Sequence, residues 1–258
     1  MNRRRLRGLC IFLALALPSP VAAREWREVR VASEGARPPY NFIDANGELA
    51  GFEIDLGQEL CARMKVACVF VAQDWDGLVP ALKEGRVDAL MAALEITEAR
   101  LQLMDFTKPY VRMPLAFVVT RDADWRDATP ATLKGRSIGV EADGPHATFL
   151  ENIYPGSEVK SYGSLEDAIL DLAEGRVDSV FGDKDAVMDF MKNRREAKCC
   201  RVLDDVKRDP AFFGEGIGVA LRREDQDLKA MFDKALDETF ADGAFERIRT
   251  KYFGFGIR

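Results

Sequence analysis

Four carboxylates in this chain stand where chemistry is usually done. Glu34, Glu95, Glu141 and Asp183 each come just after a stretch that reads as a strand, and Arg100 closes the segment LEITEAR that follows one of them. Open α/β sheets bind ligands in the loops beyond the carboxyl ends of their strands. Converging carboxylates there would make an acidic cleft suited to a cationic group, while a guanidinium fork meets a carboxylate bidentately. Trp75, in QDWDG, offers a ring face to a cation or an aliphatic stem. Each residue also has a plainer reading. Arg100 could be a surface helix arginine, Asp183 the N-cap of a helix over Lys184–Met191, Trp75 a core ring, and Glu34 a solvated loop carboxylate. His146 is the only histidine, and a lone histidine at a helix start is usually structural or solvent-facing. No GxSxG elbow and no HExxH occurs, and one histidine cannot build a metal cluster, so neither a metal nor a cofactor is expected.

The elements that must position these groups come in two matching sets. EGRVD occurs at Glu84–Asp88 and again at Glu174–Asp178, each time between an apolar segment with helical spacing and a short apolar stretch. VRVAS (29–33), VACVFV (66–71) and DALMA (88–92) read as strands, with helices over Glu53–Met64 and Trp75–Lys83 between them. From Leu115 the plan restarts: LAFVV, SIGV (137–140), a helix near Pro145–Asn152, then Ser164–Ala173 with capping-box spacing between Ser164 and Asp167, then DSVFG (178–182). This alternation predicts parallel sheets flanked by helices. GEGIGVAL (214–221) reads as a glycine-rich strand with close backbone packing rather than a phosphate loop, since no GK[ST] follows it. An amphipathic helix over Glu224–Ala241 and a last one over Phe245–Tyr252 close the chain. Aligning Asp88 with Asp178 sets Ala93 opposite Asp183, so two similar α/β lobes would face each other across a cleft.

Composition bounds the partners. MNRRRLRGLCIFLALALPSPVAA has a cationic start, a short apolar run and a small-residue cleavage site, which predicts a secretory signal peptide over 1–23. Its removal takes four arginines and no acids, moving the formal charge from −6 to −10. An acidic chain of this size argues against nucleic acid or an anionic membrane as the main partner. No later segment approaches eighteen apolar residues, so a soluble exported protein is expected. In an oxidising compartment Cys61 and Cys68, seven apart, are a plausible local disulfide. Adjacent Cys199 and Cys200 are expected not to bond to each other.

These stretches, taken in order, resemble a known family. EGARPPYNFIDANGELAGFEIDLGQELCARM, FVAQDWDGLVPALKEGRVDALMAALEITEAR, MDFTKPY, EGRVDSVFGD, FFGEGIGVALRRED and DGAFERIRTKYFGF look like the solute-binding proteins of polar amino-acid ABC importers, in the lysine/arginine/ornithine-, histidine- and opine-binding branch. The resemblance implies a type II periplasmic-binding-protein fold: lobe I from 24–113 plus 215–258, lobe II from 114–214, and closure of the lobes on a ligand. It implies a periplasmic monomer whose partner is an ABC permease in the inner membrane. Cys61–Cys68 matches that branch's disulfide. Arg100 matches its clamp for the ligand α-carboxylate and Asp183 its site for the α-ammonium group. Trp75 matches its aromatic position, and Glu34 the acid that meets the far end of basic ligands.

Departures from the family pattern mark the rest of the site. Ala92, Ala93 and Glu95 stand where hydroxyls are usual, Arg37 stands where an aromatic is usual, and Gly144-Pro145-His146 replaces a GST(Q/H)-like loop. Pro145 has no N–H to offer a carboxylate, while Gly144 and His146 still could. The ligand expected is arginine-, lysine- or ornithine-like, or opine-like; these changes suit an opine-like conjugate, or another guanidino or amino compound with an additional acidic group, better than a plain basic amino acid. Two other functions stay open at this point. One is a dehydratase of the cyclohexadienyl or arogenate type on the same fold, with Glu95 or Glu141 as general acid; the other is a freestanding ligand-sensing partner of a receptor.

Overall fold

The computed structural model describes residues 25–258; the expected signal peptide lies outside the described residues. The first half runs β1 (Glu28–Ser33), a small hairpin set β2 (Ala36–Arg37), β3 (Asn41–Ile43) and β4 (Leu49–Ala50), then α1 (Phe52–Met64), β5 (Ala67–Ala72), α2 (Trp75–Lys83), β6 (Ala89–Leu90), α3 (Glu98–Leu101) and β7 (Asp105–Phe106). The second half runs β8 (Leu115–Thr120), β9 (Ser137–Glu141), α4 (Pro145–Ile153), β10 (Glu158–Tyr162), α5 (Leu165–Ala173), β11 (Ser179–Asp183), α6 (Lys184–Asn193), a 3₁₀ turn at Glu196–Cys199, β12 (Cys200–Val206) and α7 (Pro210–Phe213). The chain then returns to the first sheet as β13 (Ala220–Leu221) and ends in α8 (Gln226–Ala241) and α9 (Ala244–Tyr252).

Two five-stranded sheets result, ordered β5-β1-β6-β13-β7 and β10-β9-β11-β8-β12. Each is mixed rather than purely parallel. β13 runs antiparallel to β6 and β7, and β8 runs antiparallel to β11 and β12. The antiparallel members are the strands beside the two crossings of the chain between sheets, at residues 107–114 and 207–219. A strand arriving from the other sheet enters from the cleft side, opposite to a strand fed by a helix.

Both sheets are covered on both faces. Val29 and Val31 point to α1, α8 and α9, packing with Phe52, Leu56 and Phe232, whereas Ala32 points to the α2 side with Leu78 and Leu82. In the second lobe Phe117 and Phe181 join Phe149 on one face, and Val118 and Val180 join Ile169 and Leu172 on the other. This is the period-2 alternation of a strand buried on each side.

The repeated EGRVD has a structural answer. In both copies the glycine ends a helix in the left-handed region, with φ of 71° at Gly85 and 73° at Gly175. The next arginine N–H reaches back to the last turn, from Arg86 to Ala81 and from Arg176 to Asp171, closing a Schellman motif. The aspartate then pairs with the start of the neighbouring strand. Asp88 Oδ2 accepts the Arg30 N–H at 3.0 Å, and Asp178 Oδ2 accepts the Ser137 N–H at 2.7 Å. One junction is thus built twice, and it fixes where β6 and β11 begin.

Cys61 and Cys68 are joined, tying the last turn of α1 to β5. Cys199 and Cys200 are also joined, against the expectation that they would not pair. They sit where the 3₁₀ turn passes into β12, and that change of direction brings both sulfurs to one side.

Candidate functional site

A cleft of about 360 Å³ lies between the sheets, lined by residues that include Arg37, Tyr40, Ala93, Glu95, Asp183 and Arg208. Its walls are loops that follow strand ends. Glu34 comes after β1, Ala93 and Glu95 come after β6, and Asp183 is the last residue of β11.

The loops on the first lobe are held by one buried carboxylate. Glu53, in the first turn of α1, is fully buried. It accepts the Ala93 N–H at 2.8 Å and Asn41 Nδ2 at 2.7 Å, and the Tyr110 hydroxyl donates to it. Asn41 Oδ1 in turn accepts the Gly35 N–H at 2.8 Å. The loop carrying Glu34 and the loop carrying Ala93 therefore hang from the same side chain. Ala93 itself has φ of 51°, a left-handed conformation that a non-glycine residue adopts only when its surroundings enforce it. Burial pushes the Glu53 carboxyl up, against the three donors that pull it down.

Trp75, at the start of α2, is flanked by two guanidiniums. Arg37 stands 5.0 Å and Arg100 5.7 Å from its ring centroid. Arg37 also pairs with Glu34 at 3.4 Å. Arg100 sits on α3, which Thr97 caps by accepting the Arg100 N–H at 3.3 Å. Its Nη1 donates to the Glu95 carbonyl at 2.8 Å, so it turns back toward the strand end. Partial burial lowers its pKa, with the Arg37 charge adding to that and Glu95 opposing it.

Asp183 occupies the N-cap position of α6 but makes no side-chain cap there. Its carboxylate faces the cleft, where Oδ1 accepts Arg208 Nη1 at 2.8 Å and stands 3.5 Å from His146 Nε2. Burial raises its pKa, but His146 and Arg208 outweigh that and hold it below the ordinary carboxylate range. Glu95 moves the other way. Burial raises it, with Asp183 and Asp185 adding repulsion that the Arg208 and Arg100 charges only partly offset.

The ten residues singled out in the sequence do not all reach the cavity. Arg37, Ala93, Glu95 and Asp183 line it; Glu34, Trp75 and Arg100 stand behind Arg37 and Glu95, and His146 stands behind Asp183. Glu141 is exposed at the end of β9, and Gly144 is the backbone N-cap of α4; neither lines the cavity. Three further residues belong to the cleft. Tyr40 Oη donates to Asp185 Oδ2 at 3.2 Å across the two lobes, and Arg208 lies between Glu95 and Asp183. Tyr40 was legible as the end of the PPY element. Nothing in KRDP distinguishes a partly buried arginine from a solvated one.

The second crossing passes close beneath this floor. Ile217 bridges to both Glu95 and Val111, and Gly216, at φ 109°, lies so near Val111 that a Cβ would collide with its carbonyl. The close glycine packing expected of GEGIGVAL is present, though regular strand is confined to Ala220–Leu221.

The profile of the bacterial extracellular solute-binding proteins, family 3, matches residues 29–255. The chain belongs to that family. Within family 3 it is 35% identical over 259 residues to the L-arginine-binding protein of Pseudomonas aeruginosa, covering 100% of this chain and 98% of that one. It is also 35% identical to the histidine-binding periplasmic protein of Salmonella typhimurium, covering 97% of each chain. Among solved structures, an ancestral arginine-binding protein bound to arginine aligns with a TM-score of 0.55 at 32% identity, covering 88% of this chain and 99% of the other. These family 3 relatives are named as binding proteins, not enzymes, and the two-lobed α/β architecture is the one they share.

Proposed function

We propose that this chain is the extracytoplasmic solute-binding component of an ABC importer. It captures a polar or cationic amino acid, or a compound derived from one, in the periplasm and delivers it to a membrane permease. Residues 24–113 plus 215–258 form one closing body and 114–214 the other. Arg100 takes the ligand carboxylate, Asp183 its ammonium group, and Trp75 with Glu34 the far end of the side chain. Glu141, Gly144 and His146 belong to the facing lobe II loops that meet the ligand on closure.

One observation carries this reading: charged groups from two separately folded sheets converge on one cleft, and their hydrogen-bonding capacity is not used up. Glu95 Oε2 is buried and accepts no hydrogen bond among the described residues. A buried carboxylate oxygen without a donor is costly, and a ligand N–H would satisfy it. A ligand touching both lobes favours closure, because the open state lacks half of those contacts.

Thermal unfolding of the mature protein with arginine, lysine, ornithine, histidine and glutamine tests the proposal. Saturation at 100 times the dissociation constant adds about 2.7 kcal/mol, which is a shift of roughly 5–10 °C for a chain of this size. Arg100→Ala removes the shift while leaving the unliganded melting point within about 2 °C. A shift with prephenate and none with amino acids overturns the proposal.

A further inference from the structure

The floor of the cleft already holds a cation. Arg208, on the segment between β12 and α7, donates from Nη1 to Asp183 Oδ1 at 2.8 Å and from Nη2 to Glu95 Oε1 at 3.2 Å. Nη1 also lies 3.4 Å from the Met113 carbonyl on the first crossing. The side chain is only 10% exposed, and its guanidinium carbon stands 5.1 Å from the Phe213 ring centroid. Glu95 belongs to the first lobe and Asp183 to the second, so one internal guanidinium spans the carboxylates that would otherwise await a ligand cation. The other cation seat is similarly filled, with Arg37 on Trp75 and Glu34.

We propose that Arg208 is a selectivity residue of the cleft, an internal guanidinium that holds the seat between Glu95 and Asp183 and discriminates against ligands bringing a second positive charge to it. This rests on the amino-acid-binding reading above. A ligand cation reaches Asp183 either beside Arg208, against like-charge repulsion in a partly desolvated site, or by displacing it. A neutral isostere of the same shape meets less of that repulsion. Arg208 therefore sets the ratio of affinities for ligands with and without a charged α-ammonium group, while Arg100 sets whether an α-carboxylate binds at all.

Arginine and its 2-hydroxy analogue, matched in shape and differing in the charge brought to Asp183, test this by calorimetric titration of the mature protein. In Arg208→Gln the affinity for arginine relative to the 2-hydroxy analogue rises at least tenfold. In Arg208→Lys, which keeps the charge, the ratio stays within about threefold of wild type. Glu95→Gln moves the ratio tenfold the other way, so the proposal stays testable even where Arg208→Gln folds poorly. Binding of both compounds with a ratio unmoved by Arg208→Gln and Glu95→Gln overturns this proposal alone. Failure of the wild type to bind any amino acid in the panel overturns the binding reading, and this proposal with it.

Discussion

The backbone N–H of Ala93 donates to both carboxylate oxygens of Glu53, at 2.8 and 3.0 Å, from forty residues further along the chain. A helix of the first lobe thereby sets the conformation of a cleft loop. Glu53 never touches the cavity, yet it determines the backbone of a residue that lines it.

Glu53→Ala should be among the most damaging single changes in the first lobe. It leaves the Tyr110 hydroxyl, the Asn41 amide and the Ala93 N–H without their shared acceptor. Several unsatisfied buried donors cost about 3–5 kcal/mol together. Urea unfolding should register that loss, and ligand affinity should fall as well, because the Gly35 and Ala93 loops are both released. An affinity unchanged in folded protein would mean that the loops hold their shape without Glu53.

At Ala93 the order of stabilities should be Gly at least equal to Ala, and Ala above Val. The left-handed conformation costs a residue with a Cβ about 1–2 kcal/mol, and a β-branched side chain more. Glycine removes that cost but raises the entropy of the unfolded chain by a comparable amount. Melting temperatures of the three proteins check the order; a valine variant as stable as wild type would refute it.

The two aspartates of the repeat should matter for stability and not for binding. Asp88 pairs with Arg30 and Arg222 as well as with the Arg30 N–H. Burial raises its pKa, but those partners outweigh it and hold it low. Removing one side of a buried ion pair costs about 3–5 kcal/mol, so Asp88→Ala should be severe. Among the described residues the Asp178 carboxylate meets the Ser137 N–H and hydroxyl alone, and Asp178→Ala should cost about 1–3 kcal/mol. Ligand affinity of the folded variants should stay within threefold of wild type.

Acidification should act on the cleft in two steps of opposite sign. Glu95 is held above its ordinary value, so the native state keeps that proton longer than the unfolded chain does. Its contribution falls as pH rises from about 4.3 through its raised native pKa. Asp183 is held below its ordinary value. It contributes stability above about 3.9 that is lost as pH falls through its depressed native pKa. Asp183→Asn should remove the loss on the acid side, and Glu95→Gln the loss on the rising side. Affinity for a cationic ligand should weaken first in the range where Glu95 takes its proton. Titrations at several pH values would show that step absent from Glu95→Gln.

Residues alone determined the order of elements here. The bounds of α2 at Trp75–Lys83, the capped start of α5 at Ser164, and both helix-to-strand junctions follow from local chemistry. Helical spacing, a glycine that must go left-handed and a hydroxyl that must find an N–H are properties of a few neighbouring residues. The resemblance then named candidates from each half of the chain, and Arg37, Ala93, Glu95 and Asp183 do line one cavity. The antiparallel members of each sheet and the pairing of Cys199 with Cys200 were not legible. Nor were Glu53 as the hub of two loops and Arg208 as the cation between Glu95 and Asp183. Those depend on contacts across 40 and 113 residues of chain. Sequence spacing fixes which face of a helix or strand a side chain occupies; only the packing of the two lobes decides which distant charge it meets.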